Sequence, residues 1–293
     1  MVAVRRITLL TNPDVCNLRC PLCFLYQRRA TFGEISGITG EMPFDVAKAA
    51  IEKYGLTQDE NGKRILREVI PSTMGEPLLY SRFEDLLELC GSLGVPMNLT
   101  TNGTFPGMWN ENANMIRLLQ GCSDIKVSSL ASECFDGWKR NVERLLKIRQ
   151  GLPKAASVSI QVTLHRKNLM MIPELIAWAT VIGVERIKWN MVVFLSEADV
   201  RLRREFELDR SVGELREYIL NCCRMCGSSL RNEGCVFALT SGENARGYSL
   251  EAGTCPFAEE LWILPDGSEQ HCPNPERRFG NKEAPEAGCC FIR

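Results

Sequence analysis

The sequence predicts an α/β protein of repeated strand–helix units, and three observations carry that expectation. Runs rich in Val, Ile, Leu and Thr recur at Arg6 to Thr11, Arg64 to Ile70, Val95 to Thr101, Asp124 to Ser129, Ser157 to Leu164 and Arg186 to Val193. Several are nearly continuous in apolar residues, which is the pattern of parallel strands buried on both faces. Between them lie segments with helical spacing, such as Phe44, Ala47, Ala50, Ile51 and Tyr54, or Leu169, Ile172, Leu175, Ile176 and Ala179. Polar motifs then follow the strands: 12–23 after the first, 74–77 after the second and 101–103 at the third. Such alternation implies right-handed parallel crossovers in an open sheet or a barrel, with ligands gathered at the carboxyl ends of the strands.

Composition narrows the function classes. Of 293 residues, 45% are hydrophobic and 24% charged, the balance of an ordinary globular chain with a sizeable core. Lys plus Arg number 35 against 36 Asp plus Glu, so no charge excess points to nucleic acid or a membrane surface. The opening MVAVRRITLL has no small-residue cleavage site and is too short to span a bilayer, and it reads as the first strand of a cytoplasmic protein. After about Leu208 the alternation ends: one amphipathic helix is expected from Val212 to Met225, and the remainder is rich in Gly, Pro and Cys. The expected division is a core over 1–208 and a loop-rich second unit over 209–293.

Fourteen cysteines in a chain without a secretory signal point to metal before disulfides. Cys16, Cys20 and Cys23 place three thiols within eight residues. A cubane iron–sulfur cluster takes four protein ligands, so three would leave one iron open. A zinc knuckle is the bland alternative, but it would want a fourth Cys or His nearby, and none lies between Cys23 and Cys90. The two histidines, His165 and His271, are distant in sequence.

At Cys16 to Cys23 the chain resembles the radical S-adenosylmethionine (SAM) superfamily, and the resemblance extends over roughly the first two thirds of the sequence. It implies a partial (β/α)6 TIM-like barrel, a [4Fe-4S] cluster on the three cysteines, and SAM chelated at the open iron. Met74-Gly75-Glu76-Pro77 resembles the superfamily's Gly-Gly-Glu-Pro turn, with Met74 in place of the first glycine. The resemblance implies that Gly75, Glu76 and Pro77 receive the SAM amino group, Glu76 supplying a carboxylate. Asn102, in a Thr-Asn-Gly segment, resembles the polar end of the third strand, and Ser128 and Ser129 resemble ribose or carboxylate contacts. The residue before the third cysteine is commonly aromatic in the family. Here it is Leu22, with Phe24 as a substitute for the adenine contact. The bland readings are a turn carboxylate for Glu76, a tight turn for Asn102-Gly103 and strand-end hydroxyls for the serines.

A second cysteine region opens with Cys255 and continues through a hairpin-like Leu-Trp-Ile-Leu-Pro-Asp-Gly to Cys272. It resembles the opening of the auxiliary-cluster domains called SPASM and twitch. The resemblance implies an auxiliary [4Fe-4S] cluster on Cys255 and Cys272, completed by Cys289 or Cys290. Cys235 or one of Cys222, Cys223 and Cys226 is an alternative ligand. Cys90, Cys122 and Cys134 read as small core fillers. His165 faces either the active site or a structural hydrogen bond, and His271 reads as a neighbour of Cys272.

The resemblance implies hydrogen abstraction by a 5'-deoxyadenosyl radical, a flavodoxin- or ferredoxin-type electron donor and a small-molecule substrate. The layout resembles radical SAM enzymes of aminoglycoside biosynthesis, which implies an epimerase of the neomycin C to neomycin B type. In such epimerases a cysteine returns hydrogen to the substrate, and that position falls at Ser249; Cys235, Cys222, Cys223 and Cys226 are other candidate donors. An O–H bond is too strong to quench a carbon radical readily, so serine at 249 would disable inversion. A dehydrogenase acting on a carbinol and a peptide-modifying enzyme are alternatives, as is a non-enzymatic iron–sulfur carrier or sensor. A polycationic aminosugar would want carboxylates at the mouth, and Asp14, Glu34, Glu197 and Asp199 are placed to supply them or to serve as solvated surface.

Overall fold

The apolar runs do fold into six parallel strands: β1 (Arg6–Leu9), β2 (Glu68–Pro71), β3 (Met97–Thr101), β4 (Cys122–Ser129), β5 (Ser157–Leu164) and β6 (Arg186–Met191). The computed structural model describes residues 3–27, 40–71, 74–129, 135–194, 200–238 and 259–270. Neighbours in sequence are neighbours in the sheet, all parallel, from β1 through β6. Successive right-handed crossovers of this kind keep their helices on one face.

Those helices are α1 (Phe44–Gly55), α2 (Phe83–Ser92), α3 (Asn112–Gly121), α4 (Phe135–Gln150) and α5 (Ile172–Val181). Ile51, Leu86, Leu118, Leu145 and Ile176 join Ile7, Leu99, Ile125, Ile160 and Ile187 in one core, and all ten are fully buried. Each such side chain contributes roughly 1.5–3 kcal/mol by leaving water.

Only one face of the sheet is apolar. The expectation of strands buried on both faces is corrected by the alternation Arg6-Ile7-Thr8-Leu9, Asp124-Ile125-Lys126-Val127-Ser128 and Arg186-Ile187-Lys188-Trp189-Asn190. In each, the apolar members lie in the core and the polar members line a cavity. The sheet is rolled around that cavity. In a flat sheet β1 and β6 would stand five strands apart, about 24 Å, yet Lys188 on β6 is within electrostatic reach of Arg6 on β1.

Three further strands extend the sheet at its two ends. The chain runs through α6 (Val200–Phe206) and the expected helix, α7 (Val212–Met225), which a Ser211–Glu214 capping box starts. Then β7 (Arg231–Glu233) pairs parallel with β6. Gly234, at φ +95°, lets the backbone pass Trp189, whose carbonyl oxygen would lie 2.3 Å from any Cβ there. A short α8 (Cys235–Ala238) follows. On the other side, β8 (Glu260–Ile263) pairs parallel with β1, and β9 (Glu269–Gln270) pairs antiparallel with β8. The change of composition after residue 208 therefore does not mark the end of the sheet: β7 and β8 bring Glu233, Glu260 and Trp262 into its cavity wall. Among the described residues, no helix is long and apolar enough to cross a membrane.

Candidate active site

The cavity inside the rolled sheet has a volume of about 750 Å³. At its mouth lie Cys16, Cys20 and Cys23, partly exposed and in the loop that follows β1. The loop is fastened by the turn after β2. Asn12, buried, donates from Nδ2 to the Glu76 carbonyl at 2.7 Å, and the Glu76 N–H donates to the Val15 carbonyl at 2.8 Å. Gly75 sits between these contacts at φ +75°, where a Cβ would stand 2.2 Å from the Asn12 carbonyl oxygen. Only glycine accepts both the left-handed backbone and that approach, so this glycine is dictated by the cysteine loop beside it.

The end of β3 closes the arrangement. Asn102 Nδ2 donates to the Asn17 side chain at 2.9 Å and lies 3.7 Å from the Cys16 sulfur, which also accepts from the Leu18 N–H at 3.4 Å. Burial pushes the Cys16 thiol up, and these two N–H donors work against that push. Gly103, at φ +78°, packs under Val127 and Trp138, where a Cβ would lie within 2.6 and 2.9 Å of their side chains.

The Glu76 carboxylate is turned onto β3. Its oxygens accept from Thr101 Oγ1 at 2.7 Å, the Asn102 N–H at 2.7 Å and the Leu78 N–H at 3.3 Å, and the residue is 1% exposed. Burial pushes its carboxyl up to about 7, against the pull of these donors. In this geometry Glu76 ties the turn after β2 to the end of β3, and it caps the short 3-10 helix that begins at Pro77.

The cavity brings together most of the residues expected at the site. Cys16, Cys20, Cys23, Gly75, Glu76, Asn102 and Ser128 line it; Pro77, Ser129, Leu22 and Phe24 do not. Leu22 is buried, its carbonyl accepting from Gln27, and Phe24 packs against Leu10, Met74, Trp262 and Leu264 behind the loop. The apolar residues that line the cavity are Leu18, Ile70, Met74, Trp138 and Trp262, the last two from a helix and a distant strand. Cys222 and Cys223 are buried in the helix-side core, Cys226 and Cys235 pack against it, and none of the four lines the cavity. That placement is at odds with any of them being a hydrogen donor inside it. Cys90 and Cys122 fill the core as expected. His165 is buried edge-on against Phe206, away from the cavity. The N–H of Gly40 donates to Asp14. Ser249, Cys255, Cys272, Cys289, Cys290, Cys134, His271, Glu34, Glu197 and Asp199 lie outside the described residues.

Below the mouth the sequence reading missed an ionic floor. Asp124 pairs with Lys126 at 2.9 Å and with Arg186, Arg6 bridges Glu68 and Glu260, and Lys126 also bonds Asn98. The signal was present as charges two residues apart, Asp124 and Lys126, or Arg186 and Lys188, inside runs that otherwise read as buried strands.

Cys16, Cys20 and Cys23 all line the one cavity, and such a donor set fits a cubane, which takes each thiolate at a different iron and asks that they face one space.

Comparison with known proteins finds the same fold. The rolled parallel sheet matches radical SAM enzyme folds. SuiB of Streptococcus suis, in a structure bound to S-adenosylmethionine, superposes with a TM-score of 0.66 at 14% identity, covering 93% of this chain and 61% of that one. The enzyme anSMEcpe with bound AdoMet gives 0.61 at 13% identity, covering 91% of this chain and 74% of the other. A Pyrococcus furiosus protein described as a tungsten-containing aldehyde ferredoxin oxidoreductase cofactor-modifying protein is 23% identical over 179 residues, 58% of this chain. The chain spans about half the length of that curated relative, 47%. No family model matches.

Proposed function

We propose that this chain is a radical SAM enzyme, with a [4Fe-4S] cluster on Cys16, Cys20 and Cys23 and SAM between that cluster and the turns at Gly75 and Asn102. The observation that carries the reading is the convergence of three thiols on the carboxyl-end mouth of a rolled parallel sheet, locked there by Asn12, Gly75 and Glu76. When bound and reduced, the pair supplies a 5'-deoxyadenosyl radical able to take hydrogen from an unactivated carbon. The chain's own residues do the rest. The loop after β1 presents the thiolates, the turns offer backbone groups to SAM, Ser128 offers a hydroxyl, and Trp138 and Trp262 wall the cavity against water. The SAM-bound neighbours share this fold, which agrees with the reading. If it holds, SAM alters the electron paramagnetic resonance spectrum of the reduced cluster; a spectrum indifferent to SAM removes it, leaving an electron carrier or sensor.

The auxiliary cluster belongs to the same proposal, with Cys255, Cys272 and Cys289 or Cys290 as ligands within 209–293. Two cubanes hold about eight irons, and a Cys255→Ala, Cys272→Ala double variant is expected to keep about four after reconstitution. A flavodoxin- or ferredoxin-type protein is the proposed electron donor.

Inversion of an aminosugar carbon is the finer reading implied by the layout. Besides Glu76, the cavity carboxylates Glu68, Asp124, Glu233 and Glu260 favour it, but each of these four is paired with an arginine or lysine of this chain. Its test is Ser249→Cys, which should restore inversion of neomycin C with solvent deuterium at one carbon; no gain from that change would set it aside. The neighbours solved with the precursor peptide SuiA and with the Kp18Cys peptide keep a peptide substrate as the alternative.

A further inference from the structure

Among the described residues, the floor of the cavity holds one cation that its neighbours do not pair. Arg6 has Glu68 and Glu260, Lys126 has Asp124, and Arg186 has Asp124 with Glu233 beyond. Lys188, on β6 between Arg186 and Asn190, lines the same cavity and makes no hydrogen bond or ion pair with any described residue. Glu233, its partner in register on β7, is drawn away to Arg231 at 2.6 Å. The two walls therefore differ in sign. On the β4–β6 wall Lys126 and Arg186 share the Asp124 carboxylate and Lys188 adds a third cation, whereas on the β1–β2–β8 wall two carboxylates share Arg6.

A half-buried cation without a partner is costly, and folding alone gives no reason to keep it. Burial first, then the like charges of Lys126 and Arg6, hold the Lys188 ammonium below its usual range, against the weaker pull of Glu233 and Glu260. An anion entering the cavity would find in Lys188 the one floor cation not already engaged among the described residues, and would form a charge-assisted bond there.

We infer that Lys188 is the docking cation for a carboxylate of the substrate, held at the floor while the carbon to be attacked faces the cysteine mouth. This rests on the cavity being the substrate chamber of a SAM-dependent enzyme, and it narrows the substrate class: a polycation with no carboxylate leaves Lys188 unanswered.

The test uses the whole chain, reconstituted anaerobically with SAM, and succinate as the probe against uncharged succinamide. Lysines labelled by reductive 13C-methylation are followed by NMR, with Lys188→Arg assigning the resonance. Succinate is expected to move the Lys188 signal and succinamide to leave it, and Lys188→Met should weaken succinate binding by at least about tenfold. The same Lys188→Met change should leave the melting temperature unchanged or raise it, because it removes an uncompensated half-buried charge. A Lys188 signal indifferent to succinate, an equal response to succinamide, or a lower melting temperature for Lys188→Met would each overturn the assignment. Binding of inorganic phosphate without succinate would overturn the carboxylate. The SAM response of the cluster, read in the same wild-type samples, separates the two levels: if it is present while Lys188 stays silent, only this inference fails.

Discussion

The two faces of the one sheet teach different lessons although they alternate residue by residue along the same strands. The helix-side face carries Ile7, Leu99, Ile125, Ile160 and Ile187, all fully buried, and builds the fold. The cavity face carries Arg6, Asp124, Lys126, Arg186 and Lys188, charged groups that a fold selected for stability alone would replace with Val or Leu. Side chains two apart in a strand share a face and those one apart do not, so the division between stability and chemistry runs through every strand and not between domains.

Substitutions on the two faces should separate accordingly. The largest effect is expected from Leu99→Ala on the helix side, about 3 kcal/mol lost in a denaturant titration. Next is Asp124→Asn on the cavity face, at about 2 kcal/mol, because it leaves Lys126 and Arg186 without their shared carboxylate.

That second variant also has a pH signature. Burial pulls the Asp124 carboxyl up, but Lys126, Ser157 and Arg186 outweigh it and hold it below the usual carboxylate range. A carboxylate depressed in the folded state stabilises above its unfolded pKa, and that stabilisation is lost as the pH falls further. The wild type should therefore lose stability below about pH 4, and Asp124→Asn should flatten that acid limb. An unchanged limb would remove Asp124 from the ion network.

Gly75→Ala is expected to cost about 1–2 kcal/mol from the left-handed backbone alone, plus the clash with the Asn12 carbonyl. Its clearest readout is iron retained after reconstitution, which should fall with the loosened cysteine loop. Ser128→Ala marks the small end. Its stability should stay within about 0.5 kcal/mol of wild type, while SAM affinity measured by equilibrium binding declines. A stability loss as large as that of Leu99→Ala would erase the distinction between the faces.

The helix-side face was legible in the sequence because a hydrophobic core writes itself as apolar runs; all six strands and the helices at 44–55, 172–181 and 212–225 follow from them. The cysteine loop and the turns at Gly75 and Asn102 were legible because their residue types are so constrained. Less was legible where geometry depends on distant partners. The strand Glu260–Ile263 joins β1, 254 residues away at the Arg6–Glu260 contact, and four residues carry no signal of which edge they will meet. Trp138 and Trp262 reach the cavity from elements that only the rolled sheet brings together. The resemblance implies a Glu76 open to the cofactor; the donors that engage its carboxylate, Thr101 Oγ1 and the Asn102 N–H, become visible only when β2 and β3 are side by side.

Product analysis tests most directly the proposal that the mouth of this cavity holds a cluster and SAM. Anaerobically reconstituted protein given SAM and a strong one-electron reductant should release 5'-deoxyadenosine, and Cys16→Ala, Cys20→Ala and Cys23→Ala should each abolish it while leaving the fold intact by circular dichroism. A fully iron-loaded wild type that releases none, indistinguishable from Cys16→Ala, would contradict the account.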